Sequence, residues 1–175
     1  NPTSRQIIYD TLVAVDKGIH LDKALAANKA FLKLDDRDRR FVRLLSATSL
    51  RYRGQLEKVL APLVARRPFG AQANANLILL MGAAQLLILK TGAHAAVNST
   101  VELMRQTGFE RLCGLANAVM RRLTREGEEL LAATKAVDNL PDWLQQSWRH
   151  YWGDAVTTEI ADLAMRPPPL DISVK

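Results

Sequence analysis

The stretch 73-ANANLILLMGAAQLLILK-90 carries a single charge, on its last residue, and apolar side chains on every side of a helical wheel. A helix that is hydrophobic all round is a buried one. The segment therefore predicts the central helix of a bundle, spanning Ala71 to Lys90 and ended by Gly92. Around such a rod the other helices need only one apolar stripe each, and the flanking sequence supplies them. Thr3 and Gln6 have capping-box spacing, which opens a first helix that closes near Gly18 and buries Ile7, Ile8, Leu12 and Val15. A short helical stretch covers Asp22 to Asn28. In 34-LDDRDRR-40 three aspartates sit at the positive end of a helix dipole and begin a further helix. Phe41, Leu44, Leu45, Thr48 and Tyr52 are expected on its buried face. Gly54 breaks or bends that pattern, and Leu56, Val59, Leu60 and Leu63 resume it up to the turn 65-ARRPFG-70.

Downstream of the central rod, Asn98 or Ser99 is expected to cap a helix that Gly108 ends, Ser99 and Glu102 again having capping-box spacing. Leu112, Leu115, Val119 and Leu123 mark another before the charged stretch 124-TREGEELLAATK-135. The expectation is an all-α domain of about six helices over residues 1–136.

With 175 residues, 48% of them hydrophobic, the chain can bury a proper core. No apolar run approaches the roughly 18 residues of a bilayer span, and the first ten residues show no signal-peptide pattern, so a soluble, cytoplasmic protein is expected. One cysteine excludes an internal disulfide and a multi-cysteine zinc site. The charge is uneven. Residues 1–136 hold 21 Lys and Arg against 12 Asp and Glu, whereas residues 137–175 hold 3 against 6. Between Arg37 and Arg67 there are nine basic residues and two acidic ones. Such density suits a phosphate backbone, since each cationic contact releases a condensed counterion. It equally describes a solvated basic face.

Glycine-rich phosphate loops, a GxSxG elbow and HExxH spacing are all missing, and His20, His94 and His150 stand far apart. Cys113, near a helix start and beside Arg111, has no base placed next to it and reads as a buried structural residue. No catalytic residue, cofactor site or metal site is expected in this chain.

After Val137 the composition changes. All three tryptophans fall in 140-LPDWLQQSWRHYWGD-154, where Leu144, Trp148, Tyr151 and Trp152 share one side of a short helix that Pro141 helps to start. The stripe reads as packing that seals this helix to a neighbour, the other reading being a platform for exposed bases. In 165-MRPPPLDISVK-175 the alternation of Leu170, Ile172 and Val174 with polar residues has a strand's period of two. A lone strand needs ladder partners, and nothing earlier offers them. The chain is therefore expected to be the front of a longer protein.

The segments 34-LDDRDRRFVRLLSATSLRYRGQLEKVLAPLV-64, 77-LILLMGAAQLLIL-89, 94-HAAVNSTVELMR-105 and 114-GLANAVMRRL-123 resemble, in order and spacing, the NusB family of all-helical RNA-binding domains. The resemblance covers roughly residues 4–126. It departs from the family at Thr48 and Ala118, packing positions where glycine is usual. The tail resembles the segment that joins a NusB-like domain to the catalytic part of bacterial RNA (cytosine-5) methyltransferases of the Sun or Fmu type, which modify 16S ribosomal RNA. Residues 170–175 then look like the first strand of the small subdomain that precedes the catalytic fold.

That resemblance implies transfer of a methyl group from S-adenosylmethionine to carbon 5 of a cytosine, assisted by two cysteines. Cys113 matches neither, so the catalytic and cofactor residues would lie outside this chain. The part present would hold 16S ribosomal RNA for its own C-terminal methyltransferase domain. By resemblance Arg5 lies in a basic N-terminal segment used for RNA, and Asn117 and Arg121 lie in an NxVxR stretch that Arg122 extends. Arg51, Arg53, Arg66 and Arg67 are candidates by charge. Each arginine could also be a solvated or capping charge, and Asn117 a structural hydrogen bonder. Two other readings remain open: a free-standing NusB-type antitermination factor, and a protein-docking module without RNA contact.

Overall fold

The computed structural model describes residues 2–64, 68 and 70–166. Among the described residues eight α-helices occur in order: α1 (Ser4–Asp16), α2 (Leu21–Ala27), α3 (Asp36–Arg51), α4 (Arg53–Leu60), α5 (Ala75–Ala83), α6 (Ala93–Gln106), α7 (Cys113–Ala132) and α8 (Asp142–Met165). No strand occurs among the described residues, so the all-α expectation holds there. The expected strand at Leu170, Ile172 and Val174 lies outside them.

The rod that decides the fold is α5. Ala75 and every residue from Leu77 to Ala83 are buried, and α1, α3, α4, α6 and α7 all pack against it. By length and composition Gly70–Ile88 would pass for a membrane span, contrary to the sequence expectation; its apolar surface is instead spent on the bundle interior. Gly82 permits that density. A Cβ there would stand 2.5 Å from Thr100 Oγ1 and 2.8 Å from Met120 Sδ, so α5, α6 and α7 meet at closer than side-chain distance.

Beyond Ala83 the helix widens into one π turn, Ala84–Ile88, in which the Leu89 amide reaches back five residues to the Ala84 carbonyl at 3.0 Å. Periodicity could not reveal this extra residue. The helix ends where Lys90 takes a left-handed backbone (φ 54), two residues before Gly92.

Local signals account for much of the remainder. The Thr3–Gln6 capping box is formed in both directions, and Gly18 (φ 90) and Gly108 (φ 83) stand in the left-handed region just past α1 and α6. Asp35 caps α3 through the Asp38 amide at 2.8 Å. Several expectations need correction. The buried face of α3 is Val42, Leu45, Ser46, Thr48 and Ser49, while Leu44 is 53% exposed. The break between α3 and α4 falls at Tyr52, not at Gly54. α6 opens at Gly92, well before Asn98 and Ser99, and the Ser99 hydroxyl donates to Ala96 O inside it. α7 absorbs most of the charged stretch after Leu123, its apolar side continuing through Gly127. Ala118, expected in a helix contact, is exposed.

The aromatic helix differs most. Gly153 (φ 80, ψ 172) divides α8 in two, and Trp143, Tyr151 and Trp152 are 70%, 75% and 53% exposed. Trp148 and Trp152 touch each other, centroids 5.7 Å apart, Trp148 half-buried. The main contact of α8 is the 3-10 turn Ala136–Asn139 just before it, and that turn packs on α4.

Candidate nucleic-acid interface

The basic residues fall into two kinds. Some are held by the fold. Arg5, in the first turn of α1, donates from Nε (3.1 Å) and Nη2 (2.9 Å) to Gln85 Oε1, and its guanidinium lies 5.3 Å from the Phe41 ring centroid. Gln85 is 2% exposed and belongs to the π turn, so Arg5 supplies the partner a buried amide oxygen requires. Burial pushes the Arg5 guanidinium below its usual value. This arginine ties α1 to the end of the central rod.

Arg53 is similarly engaged. It makes a bidentate pair with Asp16, its Nη2 to Oδ2 distance being 3.2 Å, and its Nε donates to Glu57 at 3.0 Å. The Asp16 carboxylate, against the opposing cost of burial, drives the guanidinium well above its ordinary value. Arg122 clamps Glu126 (3.1 and 2.9 Å) and reaches the Pro62 carbonyl at 3.4 Å, linking α7 to the end of α4.

Other candidates are open. Arg51, the last residue of α3, and Arg121, on α7, are exposed and make no hydrogen bond or ion pair with a described residue. Asn117 is half-buried and lines a shallow depression with Asn98, Val101, Glu102 and Arg105, so α6 and α7 together shape its surroundings. Gly114, Ala118 and Arg121 are exposed on the same side of α7. Arg66 and Arg67 lie outside the described residues.

The six sequence candidates among the described residues thus do not converge. Arg5, Arg53 and Arg122 hold helices together, whereas Arg51 and the pair Asn117 and Arg121 stand on separate helices as open surface. Arg37 and Arg40 of α3, counted in the basic segment but not singled out, are equally exposed and unpartnered among the described residues. Their signal was in the sequence: Arg37, Arg40, Leu44, Ala47 and Arg51 recur at spacings of three and four. Their neighbours Arg39 and Arg43 are engaged, Arg39 with Asp36 and the Leu32 carbonyl, Arg43 with Asp22 and the Phe31 ring.

Cys113 is half-buried against the core, its thiol directed at the Val101 carbonyl at 3.7 Å. Among the described residues no group of three or more His, Cys, Asp or Glu is placed to hold a metal ion.

Comparison with known proteins extends the picture. The NusB family model matches residues 2–125. "Ribosomal RNA small subunit methyltransferase B" of Xylella fastidiosa (strain 9a5c) is 33% identical over 162 residues, 93% of this chain and 37% of that protein. The protein of the same name from Thermus thermophilus is 35% identical over 162 residues, 90% of this chain and 38% of its own length. That of Pseudomonas putida is 34% identical over 141 residues, 78% and 32% respectively. The chain spans somewhat over a third of the length of the first of these relatives. With the family match running through α1 to α7, from the capping box at Thr3 to Arg125, the chain belongs to the NusB family.

Proposed function

We propose that this chain is the RNA-binding portion of an S-adenosylmethionine-dependent ribosomal RNA (cytosine-5) methyltransferase of the cytoplasm, and that it helps to position 16S RNA for a catalytic domain outside the chain. One observation carries the reading: similarity to the rRNA small subunit methyltransferases extends over 162 residues, well beyond the NusB match that stops at residue 125. A free-standing antitermination factor would have no need of that extra length. The same extension supports dividing the chain at about residue 136 into an RNA-binding bundle and a linker.

The aromatic side of α8 fits such a linker. Trp143, Tyr151, Trp152, Val156 and Leu163 are exposed large apolar side chains on a helix whose main packing partner is its own preceding turn. Surfaces of this kind mark sites of association, and the methyltransferase domain is the partner this reading assigns. Among the described residues there is no strand, hence no strand-end crevice of the sort that receives a nucleoside cofactor. S-adenosylmethionine would be held elsewhere in the protein, and no step of methyl transfer is assigned to a residue here.

The experiment is twofold. The chain should bind a 16S-derived stem-loop with an affinity that falls steeply between about 50 and 200 mM salt, because phosphate contacts release counterions. Full-length enzyme lacking residues 1–136 should keep S-adenosylmethionine binding and lose methylation of the RNA. Absence of binding at low salt, or binding indifferent to salt, refutes the RNA-holding role.

A further inference from the structure

The RNA-binding reading leaves open which face meets the RNA, and the candidates inherited from the family split between held and open residues. We propose that the solvent face of α3, marked by Arg37, Arg40 and Arg51 around Leu44, is a surface that tracks an RNA phosphate backbone. The inference rests on the RNA-binding reading and deepens it.

Register comes first. Arg37, Arg40, Leu44, Ala47 and Arg51 follow one another at spacings of three, four, three and four, so they line a single stripe. At about 100° per residue, the centre of this stripe falls roughly 150° round the helix from that of the buried side formed by Val42, Leu45, Ser46, Thr48 and Ser49. All three arginines and Leu44 are exposed. From Arg37 to Arg51 the stripe runs about 21 Å, at 1.5 Å per residue, which is long enough to follow several successive phosphates.

Pairing comes second. On a surface of mixed sign, an arginine ordinarily finds an acid, and the other basic residues of α3 and α4 have done so. Arg39 takes Asp36, Arg43 takes Asp22, Arg53 takes Asp16 and Glu57, and Lys58 takes Asp138. Arg37, Arg40 and Arg51 have no such partner among the described residues. Of the three acids that open α3, Asp35 caps the helix and Asp36 faces Arg39. The fold thus neutralises the cations on the flanks of α3 and leaves one file of guanidinium groups bare. Guanidinium is the cation best shaped for phosphate oxygens, and Leu44 gives the file an apolar centre against which a ribose or base can rest.

The test uses the chain as it stands and a fluorescein-labelled hairpin from small-subunit rRNA, with Kd measured from about 50 to 200 mM salt. The variant Arg37→Gln/Arg40→Gln/Arg51→Gln should keep the wild-type thermal midpoint. Its affinity should fall on the order of 10²-fold, and its slope of log K against log salt should shallow by about 2 to 3, reflecting three lost phosphate contacts. The charge control Lys17→Gln/Lys135→Gln should change little. Wild-type binding with the triple variant retaining slope and affinity overturns the α3 surface while leaving the RNA reading intact. An equal loss in the control overturns it as well, since net charge and not this face would then govern binding. Loss of binding to polyglutamate but not to the hairpin would show a docking face for an acidic protein instead. If the wild type binds no RNA at low salt, the reading beneath the inference fails with it.

Discussion

A methyl group placed on Gly54 would lie 1.8 Å from the carbonyl oxygen of Asp138, and 2.9 Å from Cα of Asn139. The turn before α8 therefore lies directly on the backbone of α4, and a lattice of polar contacts fastens it. Asn139 Oδ1 accepts from the Gln55 amide at 2.9 Å, Asn139 Nδ2 donates to Gln55 Oε1 at 2.7 Å, and Gln55 Nε2 donates to Thr134 Oγ1 at 2.7 Å.

Gly54→Ala should accordingly cost about 3 kcal/mol or more, because the obstacle is backbone that cannot rotate away. Gly127→Ala supplies the contrast. Its nearest obstacle is the Leu87 Cδ2 methyl at 2.8 Å, and a helical alanine gains about 1 kcal/mol in propensity, so the net change should be small. Urea unfolding of both variants checks the order, and proteolysis should cut Gly54→Ala first between Ala133 and Pro141.

Removing the guanidinium in Arg5→Met should destabilise the chain by roughly 1 to 3 kcal/mol, since it strands the buried Gln85 oxygen. Gln85→Leu in the same background should recover part of that loss. A double-mutant cycle read by thermal melts measures the coupling, and additive losses would refute the pairing.

Asp138 gives a pH signature. Burial acts to raise its carboxyl, but hydrogen bonds from Lys58 (2.7 Å) and the Lys135 amide (2.9 Å) prevail and hold it below the usual carboxylate range. A depressed folded value contributes stability above the unfolded value, near about 4, that is lost as pH falls through the folded one. Wild type should exceed Asp138→Asn by about 1 kcal/mol at neutral pH, the exposed lysine keeping the figure low. The difference should narrow progressively as pH falls below about 4, which paired melts at pH 7 and at successively more acid pH would show.

Arg53 and Arg121 should separate stability from binding. Arg53→Gln breaks the pairs with Asp16 and Glu57 and should lower the melting temperature while RNA affinity changes little. Arg121→Gln, from an open position, should leave the melt unchanged and weaken RNA binding several-fold. The reverse pattern would refute the division of the arginines into held and open.

Much of this architecture was legible. The all-round apolarity of residues 77–89 announced the central rod, and Thr3, Asp35, Gly18 and Gly108 punctuated the helices through local chemistry that needs no tertiary knowledge. Periodicity failed where neighbours decide. Leu44 looks like core yet stands in solvent because Val42, Ser46 and Ser49, smaller residues, give α3 its closer approach. Ser99 has the capping-box spacing, but α6 had already begun, so its hydroxyl serves an interior carbonyl. The aromatic stripe of α8 obeyed helical spacing without disclosing that its rings would face outward.

The site was less legible because charge counts do not reveal partners. Arg5, Arg53 and Arg122 score like Arg51 and Arg121 in sequence, and only the positions of Gln85, Asp16 and Glu126 distinguish them. These acceptors lie between 4 and 80 residues away along the chain.

The π turn at Ala84–Ile88 works as a phase shifter. An α-helix advances about 100° per residue, and one surplus residue rotates everything after it by that angle. The two halves of the rod therefore obey different wheels, the first aimed into the bundle and the second turning Gln85 toward Arg5. Straightening the bulge while keeping its surplus residue would preserve a continuous helix and its apolar composition. It would also swing residues 86 to 89 out of register with α3, α6 and α7, so the length of this rod, and not only its hydrophobicity, is part of what the sequence encodes.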